Sequence, residues 1–318
     1  NNVKLDYEGI PGVLGRSTQL KGKKGPGYNI VSVDNGKITI CEKVVGMEQF
    51  DPWYELQMTE AVPFEKRHEV YGNRPDYSAN GKYPNVKEIW TLQEKGDIGA
   101  GAVYSGDNVI YTTTQGYVKC VSLASGALKW SVKLGGKVYS TPAIYKKYVV
   151  VGCADNNIYC LDLKSGRELW KHHCDKSVLA SPTIFDGVVF IGASDGRFRA
   201  LDIKKGHLVW NYADVKGFVE SKAYVDEKQV VFGDWANTLY SLDTKTGKLQ
   251  WTWKVKGSRM YSPAAVWPVK HENRLFIATP QRKTYSIEAS SGSTMWVHRG
   301  GRESVGISDL GDRIFVKT

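Results

Sequence analysis

The chain has 318 residues, 42% of them apolar and 24% charged, which is enough for a large core and too apolar for wholesale disorder. Thirty-three Gly, ten Trp and eighteen Tyr beside only four Met favour strands and tight turns over a helical bundle. The net charge of +10 is unevenly spread: residues 1–95 carry 13 basic and 13 acidic side chains, so residues 96–318 carry the other 30 and 20. Such an excess fits an anionic partner, but the lysines are scattered, and a solvated basic surface with no sequence-specific nucleic acid partner is the plainer reading. No apolar run is long enough to span a membrane as a helix.

Residues 1–60 contain one strong hairpin signal, Tyr28 to Val44, with Asp34-Asn35-Gly36 at its turn. Residues 61–85, with Pro63, Pro75, Pro84 and several Gly and Asn, read as an irregular linker. From residue 86 onward the chain repeats. Trp130, Trp170, Trp210, Trp251 and Trp296 recur at spacings of 40, 40, 41 and 45. Each has a glycine four residues earlier: Gly126, Gly166, Gly206, Gly247 and Gly292. A glycine so regularly placed marks a turn that needs positive φ.

A second series, Gly116, Asn156, Gly196, Asn237 and Arg282, sits between runs of period-two alternation, as in YVVVGCADN-NIYCLDL. Gly and Asn tolerate the left-handed region, so Arg282 predicts a different turn in the fifth repeat. Each unit predicts four strands, the first running through 139–145 or 179–185 and the last ending at the Trp. Cys120, Cys160, Ala200, Ser241 and Ser286 share one small-residue position in the third strand. Four-stranded antiparallel units repeated radially make an all-β propeller; a solenoid of such units is the alternative.

Leu161-Asp162…Gly166…Trp170, Leu201-Asp202…Gly206…Trp210 and Leu242-Asp243…Gly247…Trp251 resemble the tryptophan-docking motif of pyrroloquinoline-quinone-like (quinoprotein-like) propeller repeats. The resemblance covers about 86–318 and implies that each Trp packs between blades against a turn glycine. VKEIW, ending at Trp90, matches a fourth strand with Val86 in the glycine's place, and SVGISDLGDRIFVKT matches a first and second strand. These partial blades imply an incomplete ring belonging to a longer chain. Tyr7-Glu8-Gly9-Ile10-Pro11-Gly12-Val13-Leu14-Gly15-Arg16-Ser17 and Gly27-Tyr28-Asn29-Ile30-Val31 resemble the C-terminal tail of a calcineurin-like metallophosphoesterase. The metal motifs of that family do not occur here, so its catalytic residues would lie outside this chain.

Chemistry is sparse. The six His are dispersed, and adjacent His172 and His173 point to opposite faces of a strand, so no metal site is expected. Gly22–Gly27 lacks the Lys-Ser/Thr end of a phosphate loop, and Gly96–Gly101 leads into a strand rather than a helix. No Gly-x-Ser-x-Gly elbow occurs. The quinone dehydrogenases that the propeller resembles use adjacent cysteines to cradle the cofactor. The five Cys here (Cys41, Cys120, Cys153, Cys160, Cys174) include no such pair, so neither quinone nor any other cofactor is expected.

Alignment of the repeats places Asp97, Lys137, Tyr139, Glu220, Lys222, Arg259, Tyr261, Arg302 and Glu303 at the mouth of the ring axis, the candidate site for a protein or an anionic ligand. Trp235, after Asp234, is either an exposed aromatic platform or packed on a neighbouring loop. The functional expectation is a non-catalytic binding or scaffold propeller attached to a metallophosphoesterase. The alternative is a stand-alone protein-interaction propeller resembling the barrel-assembly lipoproteins of the bacterial outer membrane; a quinone enzyme comes third. Both leading resemblances imply a location outside the cytoplasm, against which free thiols weigh mildly.

Overall fold

The computed structural model describes residues 3–7, 10–14, 26–48, 50–58, 87–255, 257, 262–302 and 304–317. The linker expected at 61–85 and the blade position Val86 lie outside these residues. The chain forms two compact units, Asn1–Lys87 and Glu88–Thr318. In the first, Val3–Tyr7 pairs antiparallel with Ile10–Leu14, and Gly27–Asp34, Lys37–Val44 and Phe50–Gln57 form a three-stranded antiparallel sheet. The predicted hairpin is present: Asp34 pairs with Lys37, and Asn35 and Gly36 take φ of +46° and +76°, the two positive angles that a type I′ turn needs.

The second unit is all-β and carries the propeller blades. Five four-stranded antiparallel sheets span residues 103–133, 143–173, 183–212, 224–254 and 269–299, here blades 1 to 5. Blade 2 is typical, with Ala143–Tyr145, Tyr148–Gly152, Asn157–Asp162 and Glu168–His173 paired in sequence order. Its two middle strands are buried almost end to end, because neighbouring blades cover both of their faces; its last strand alternates, with Trp170 inward. The innermost strands of blades 1 to 4 lie side by side, as do those of blade 5 and the sheet that follows it, as radially arranged sheets require. A two-stranded sheet, Val305–Ile307 with Ile314–Val316, follows blade 5, as the SVGISDLGDRIFVKT stretch predicts.

The blades are locked by their tryptophans. Trp130, Trp170, Trp210 and Trp251 each donate Nε1–H to a carbonyl of the next blade: Leu163 (2.9 Å), Ile203 (2.8 Å), Thr244 (3.0 Å) and Ala289 (2.9 Å). The turn glycine that meets each ring is thus the next blade's. Gly206, at φ +69°, lies so close that an added Cβ would stand 2.5 Å from Trp170 Cε3. Opposite each Trp across the ladder stands the small-residue position: Cys120, Cys160, Ala200, Ser241 and Ser286, all fully buried. In every blade the register slips directly after that residue, a bulge that turns the fourth strand so that the indole reaches its neighbour.

Four expectations are corrected. The first strands are shorter, Ala143–Tyr145 and Thr183–Phe185, because Pro142 and Pro182 have no N–H for a ladder and the residues before them run unpaired toward the axis. Arg282 does not change the turn: it adopts φ +57°, and its carbonyl accepts Gly300 N–H just as Asn156 accepts Cys174 N–H. The need to supply that carbonyl overrides the strain on a non-glycine residue. Residues 87–90 form no strand, yet Trp90 still docks on blade 1, donating Nε1–H to Leu123 O (2.8 Å) against Gly126. Trp296 is 38% exposed and makes no such bond, because the two-stranded sheet after it presents no strand-three turn among the described residues.

Gly206→Ala should destabilise the protein by about 2–4 kcal/mol, from the left-handed backbone and the overpacked indole together. Gly106→Ala is the control: its φ is +56° but nothing lies within 4 Å of an added Cβ, so only about 1–2 kcal/mol should be lost. Urea unfolding of the two variants measures the difference.

Candidate functional site

Each blade is entered by a segment that runs in toward the axis before its first strand. The carbonyls of Asp97, Lys137, Ser177 and Phe218 accept the N–H groups of Thr114, Ala154, Ser194 and Trp235, which sit in the hairpin turns of blades 1 to 4. These four bonds fix the true register of the entry segments. Two residues further on stand Gly99, Tyr139, Leu179 and Glu220; two more bring Gly101, Thr141, Ser181 and Lys222. The extra residue in the fourth repeat therefore puts Lys222 level with Thr141, and Glu220 level with Tyr139.

The entry segments surround a cavity of about 830 Å³ that receives residues from blades 1 to 5 and from the two-stranded sheet. Its wall includes Ile98 to Gly101, Tyr139, Thr141, Ser181, Glu220, Ser221 and Trp267, with Ser304 and Lys317 on the remaining side. Hydroxyls link the segments: Gly101 N–H donates to Thr141 Oγ1 and Thr141 N–H to Ser181 Oγ, both at 2.9 Å. Blade 4 breaks the series by placing Lys222 there.

Of the predicted mouth residues, Tyr139 and Glu220 meet in this cavity; Lys222 does not line it, though its Nζ stands 5.8 Å from the ring centroid of Trp267, which does. Asp97 and Lys137 instead line a separate cavity of about 640 Å³ between blades 1 and 2, with Lys95 and Lys133. Arg302 is exposed, and its backbone N–H donates to Lys317 O (2.7 Å). Arg259, Tyr261 and Glu303 lie outside the described residues. Trp235 is packed rather than free: it stacks on Phe218 at 5.6 Å and donates Nε1–H to Glu220 Oε2 (2.7 Å). Thr141, Ser181, Ser221 and Trp267 were missed by the sequence reading; the 40-residue spacing of hydroxyls was a signal for Thr141 and Ser181, and none marked Ser221 or Trp267.

The hairpin turns of blades 2, 3 and 4 each carry an acid bonded to the third strand. Asp155 accepts from Tyr159 (2.6 Å), Asp234 from Tyr240 (2.9 Å), and Asp195 forms a bidentate pair with Arg199. The Asp195 and Arg199 side chains are only 2% and 5% exposed. Burial works to raise the Asp195 pKa, but the hydrogen bonds and charge of Arg199 outweigh it and hold the carboxyl below its ordinary 3.8. Burial pushes the Cys153 and Cys174 thiols up to about 11 and Cys160 up to about 12. These sulfurs stay protonated near neutrality and act as core filler rather than as nucleophiles.

The axial wall does not fit a quinone cradle. Its one carboxylate among the described residues, Glu220, is held by Trp235, and the blade cysteines are buried singly on separate strands and turns. Among the described residues no group of three or more His, Cys, Asp and Glu could hold a metal ion, and no helix is long and apolar enough to cross a membrane.

Residues 84–159 and 143–318 match the family described as outer membrane protein assembly factor BamB. The chain belongs to this family of PQQ-type repeats. Similar solved structures include BamB from Moraxella catarrhalis, at 15% identity and TM-score 0.50, over 100% of this chain and 93% of that one. The computationally designed Ika8 protein shares 16% identity at TM-score 0.60, over 93% and 95%. A quinohemoprotein alcohol dehydrogenase from Pseudomonas putida HK5 shares 15% identity at TM-score 0.57, over 71% of this chain but 46% of its own. The chain thus spans less than half the length of that dehydrogenase and of its Comamonas testosteroni counterpart. At these identities the shared property is the fold. No curated protein matches the sequence. The matches carry the barrel-assembly resemblance; none involves the metallophosphoesterase resemblance of residues 1–60.

Asp195→Asn should cost about 3–5 kcal/mol by leaving the Arg199 charge buried without its counter-ion. The sign with pH follows from the lowered carboxyl pKa: the pair's contribution is present above about pH 4 and fades as pH falls through the folded-state value. Denaturant unfolding at several pH values should show wild type losing this increment on acidification and the variant lacking it throughout.

Proposed function

We propose that this chain is a non-catalytic protein-interaction propeller that works outside the cytoplasm in the assembly of outer-membrane proteins. The observation that carries the reading is the family match across residues 84–318, with a BamB structure similar over the whole chain. The geometry is consistent with it. Docked indoles make the blades a firm support, and the exposed side chains of the turns and of the axial mouth offer contacts to a partner. Residues 86–318 form the interaction module, with 1–60 as a small β-rich appendage joined through 61–85. Tyr139, Glu220 and Lys222 serve as contact residues at the axial mouth, Asp97 and Lys137 at the adjoining rim. The thiols, held protonated by burial, and the acids, engaged by Tyr159, Arg199 and Tyr240, serve stability rather than turnover.

Deleting the encoding gene should lower the amount of folded β-barrel protein in the outer membrane, and restoring the chain should recover it, as read on heat-modifiability gels. Unchanged barrel levels, together with metal-dependent phosphoesterase activity in the full gene product, would overturn the reading in favour of the fusion hypothesis.

A further inference from the structure

Away from the axis, a groove between neighbouring blades recurs with a different lining. Between blades 3 and 4 it is a cavity of about 420 Å³ whose wall includes Phe185, Val188, Phe190, Val209 and the docked Trp210. Between blades 4 and 5 it is a cavity of about 560 Å³, and its lining is polar. Gln229 stands where blade 3 has Val188, each opposite the aspartate that ends strand three. Gln250 stands where blade 3 has Val209, one residue before the docking Trp. Gln229 is only 4% exposed. Ser241 Oγ–H reaches Oε1 of Gln229 and of Gln250, 3.0 Å from each, and Gln250 Nε2 donates to Lys228 O (3.1 Å). Gln229 lines the cavity, and its amide nitrogen donates to no group among the described residues. A nearly buried amide with half of its hydrogen-bonding capacity unused costs stability. Valine fills the same place in blade 3 without that cost, so the glutamine points to a ligand.

The ligand's chemistry follows from what lines the groove. Its charges balance: Lys270 is paired with Asp226, and exposed Lys228 is offset by exposed Glu272. A ligand of net charge would find no uncompensated partner there. Ala289 is the one apolar residue lining it among the described residues, so an apolar ligand would gain little. What the wall offers is amides, a carboxylate and a hydroxyl. Asn273, on the blade 5 side, donates Nδ2–H to Ser290 Oγ (3.2 Å), and both line the cavity. Neighbouring hydroxyls of a sugar ring donate and accept at once, so they satisfy an amide N–H on one wall and carboxylate or amide oxygens on the other. The volume lies within the range of small-ligand pockets. We propose that the groove between blades 4 and 5 binds a neutral carbohydrate, with one sugar unit seated between Gln229 on one side and Glu272 and Asn273 on the other. The site rests on this lining and not on the protein-assembly reading.

The test is saturation-transfer NMR titration of the full chain with maltotriose, chitotriose and lactose as neutral sugars and glycylglycine as a zwitterionic probe. At least one sugar should bind with a Kd of about 1 mM or tighter, and glycylglycine more weakly than that sugar. A triple variant, Gln229→Val with Ser241→Ala and Gln250→Val, installs the residues that blade 3 carries at these positions, Val188, Ala200 and Val209. It should keep wild-type circular dichroism and a melting temperature at or above the wild-type value, yet bind the sugar about tenfold more weakly. Glu272→Gln and Asn273→Ala, both at exposed positions, should each weaken binding severalfold, while Lys164→Met on the equivalent turn of blade 2 changes nothing. Should the triple variant fail to fold, Glu272→Gln and Asn273→Ala carry the test. Three results would overturn the site: no sugar bound at about 10 mM, glycylglycine binding more tightly than every sugar, or wild-type affinity in the groove variants.

Discussion

The structure depends on one interaction repeated from blade to blade: an indole laid on the next blade's turn glycine while its N–H reaches a carbonyl beside that turn. The contact has three requirements. The glycine must hold a left-handed backbone with no Cβ in the indole's path; φ lies between +68° and +75° at Gly126, Gly166, Gly206, Gly247 and Gly292. The residue opposite the Trp must be small, and the strand must slip by one residue immediately afterwards. A flat ring of two torsions then buries a large area at little rotamer cost, and its single polar atom is satisfied. Because the same contact recurs from blade to blade, the spacing between blades is set by it, and with that spacing the position of every entry segment at the axis.

Fixing the blades from their outer strands leaves the axial residues free to vary. Thr141 and Ser181 use their hydroxyls to tie one entry segment to the next, which is a structural task. Lys222 cannot perform it, and the scaffold tolerates the loss because Trp210 and Gly247 hold blade 4 to blade 3 regardless. A substitution that breaks a local rule is tolerated where the fold does not depend on that rule. The paired acids of the hairpin turns show the opposite logic. Asp155, Asp195 and Asp234 are met by different partners, Tyr159, Arg199 and Tyr240, yet each turn remains satisfied.

The outer architecture was legible in the sequence because its determinants are residue types at fixed intervals. Trp and Gly four apart, Gly or Asn at the hairpin turns, and a small residue in the third strand each state a steric requirement that few side chains meet. Asn35-Gly36 announced its turn for the same reason. The axial residues were legible only in part. Their segments make no ladder, so no alternation marks them, and the single extra residue between Trp210 and Trp251 shifts the count. The carbonyl bonds of Lys137 and Phe218 set these two residues level, so that Tyr139 matches Glu220 and Thr141 matches Lys222. Ser221 carries no signal in a sequence at all, since its distinction is a missing partner. Arg282 erred the other way, a residue type that disfavours a conformation its surroundings impose.

The thiols bear on where such a chain can work. Five free cysteines read as an argument against an oxidising compartment when only their number is known. In the folded blades, Cys120, Cys153, Cys160 and Cys174 are each at most 1% exposed, and desolvation raises all four pKa values. Oxidation requires a thiolate that an oxidant can reach, and the propeller supplies neither. Cys120 and Cys160 are buried because the strand position opposite an indole admits only a small side chain, the same position that Ala200, Ser241 and Ser286 fill in the other blades. Cys120 and Cys160 therefore follow from the docking contact rather than from redox chemistry, and the four buried blade cysteines carry no weight against an extracytoplasmic role.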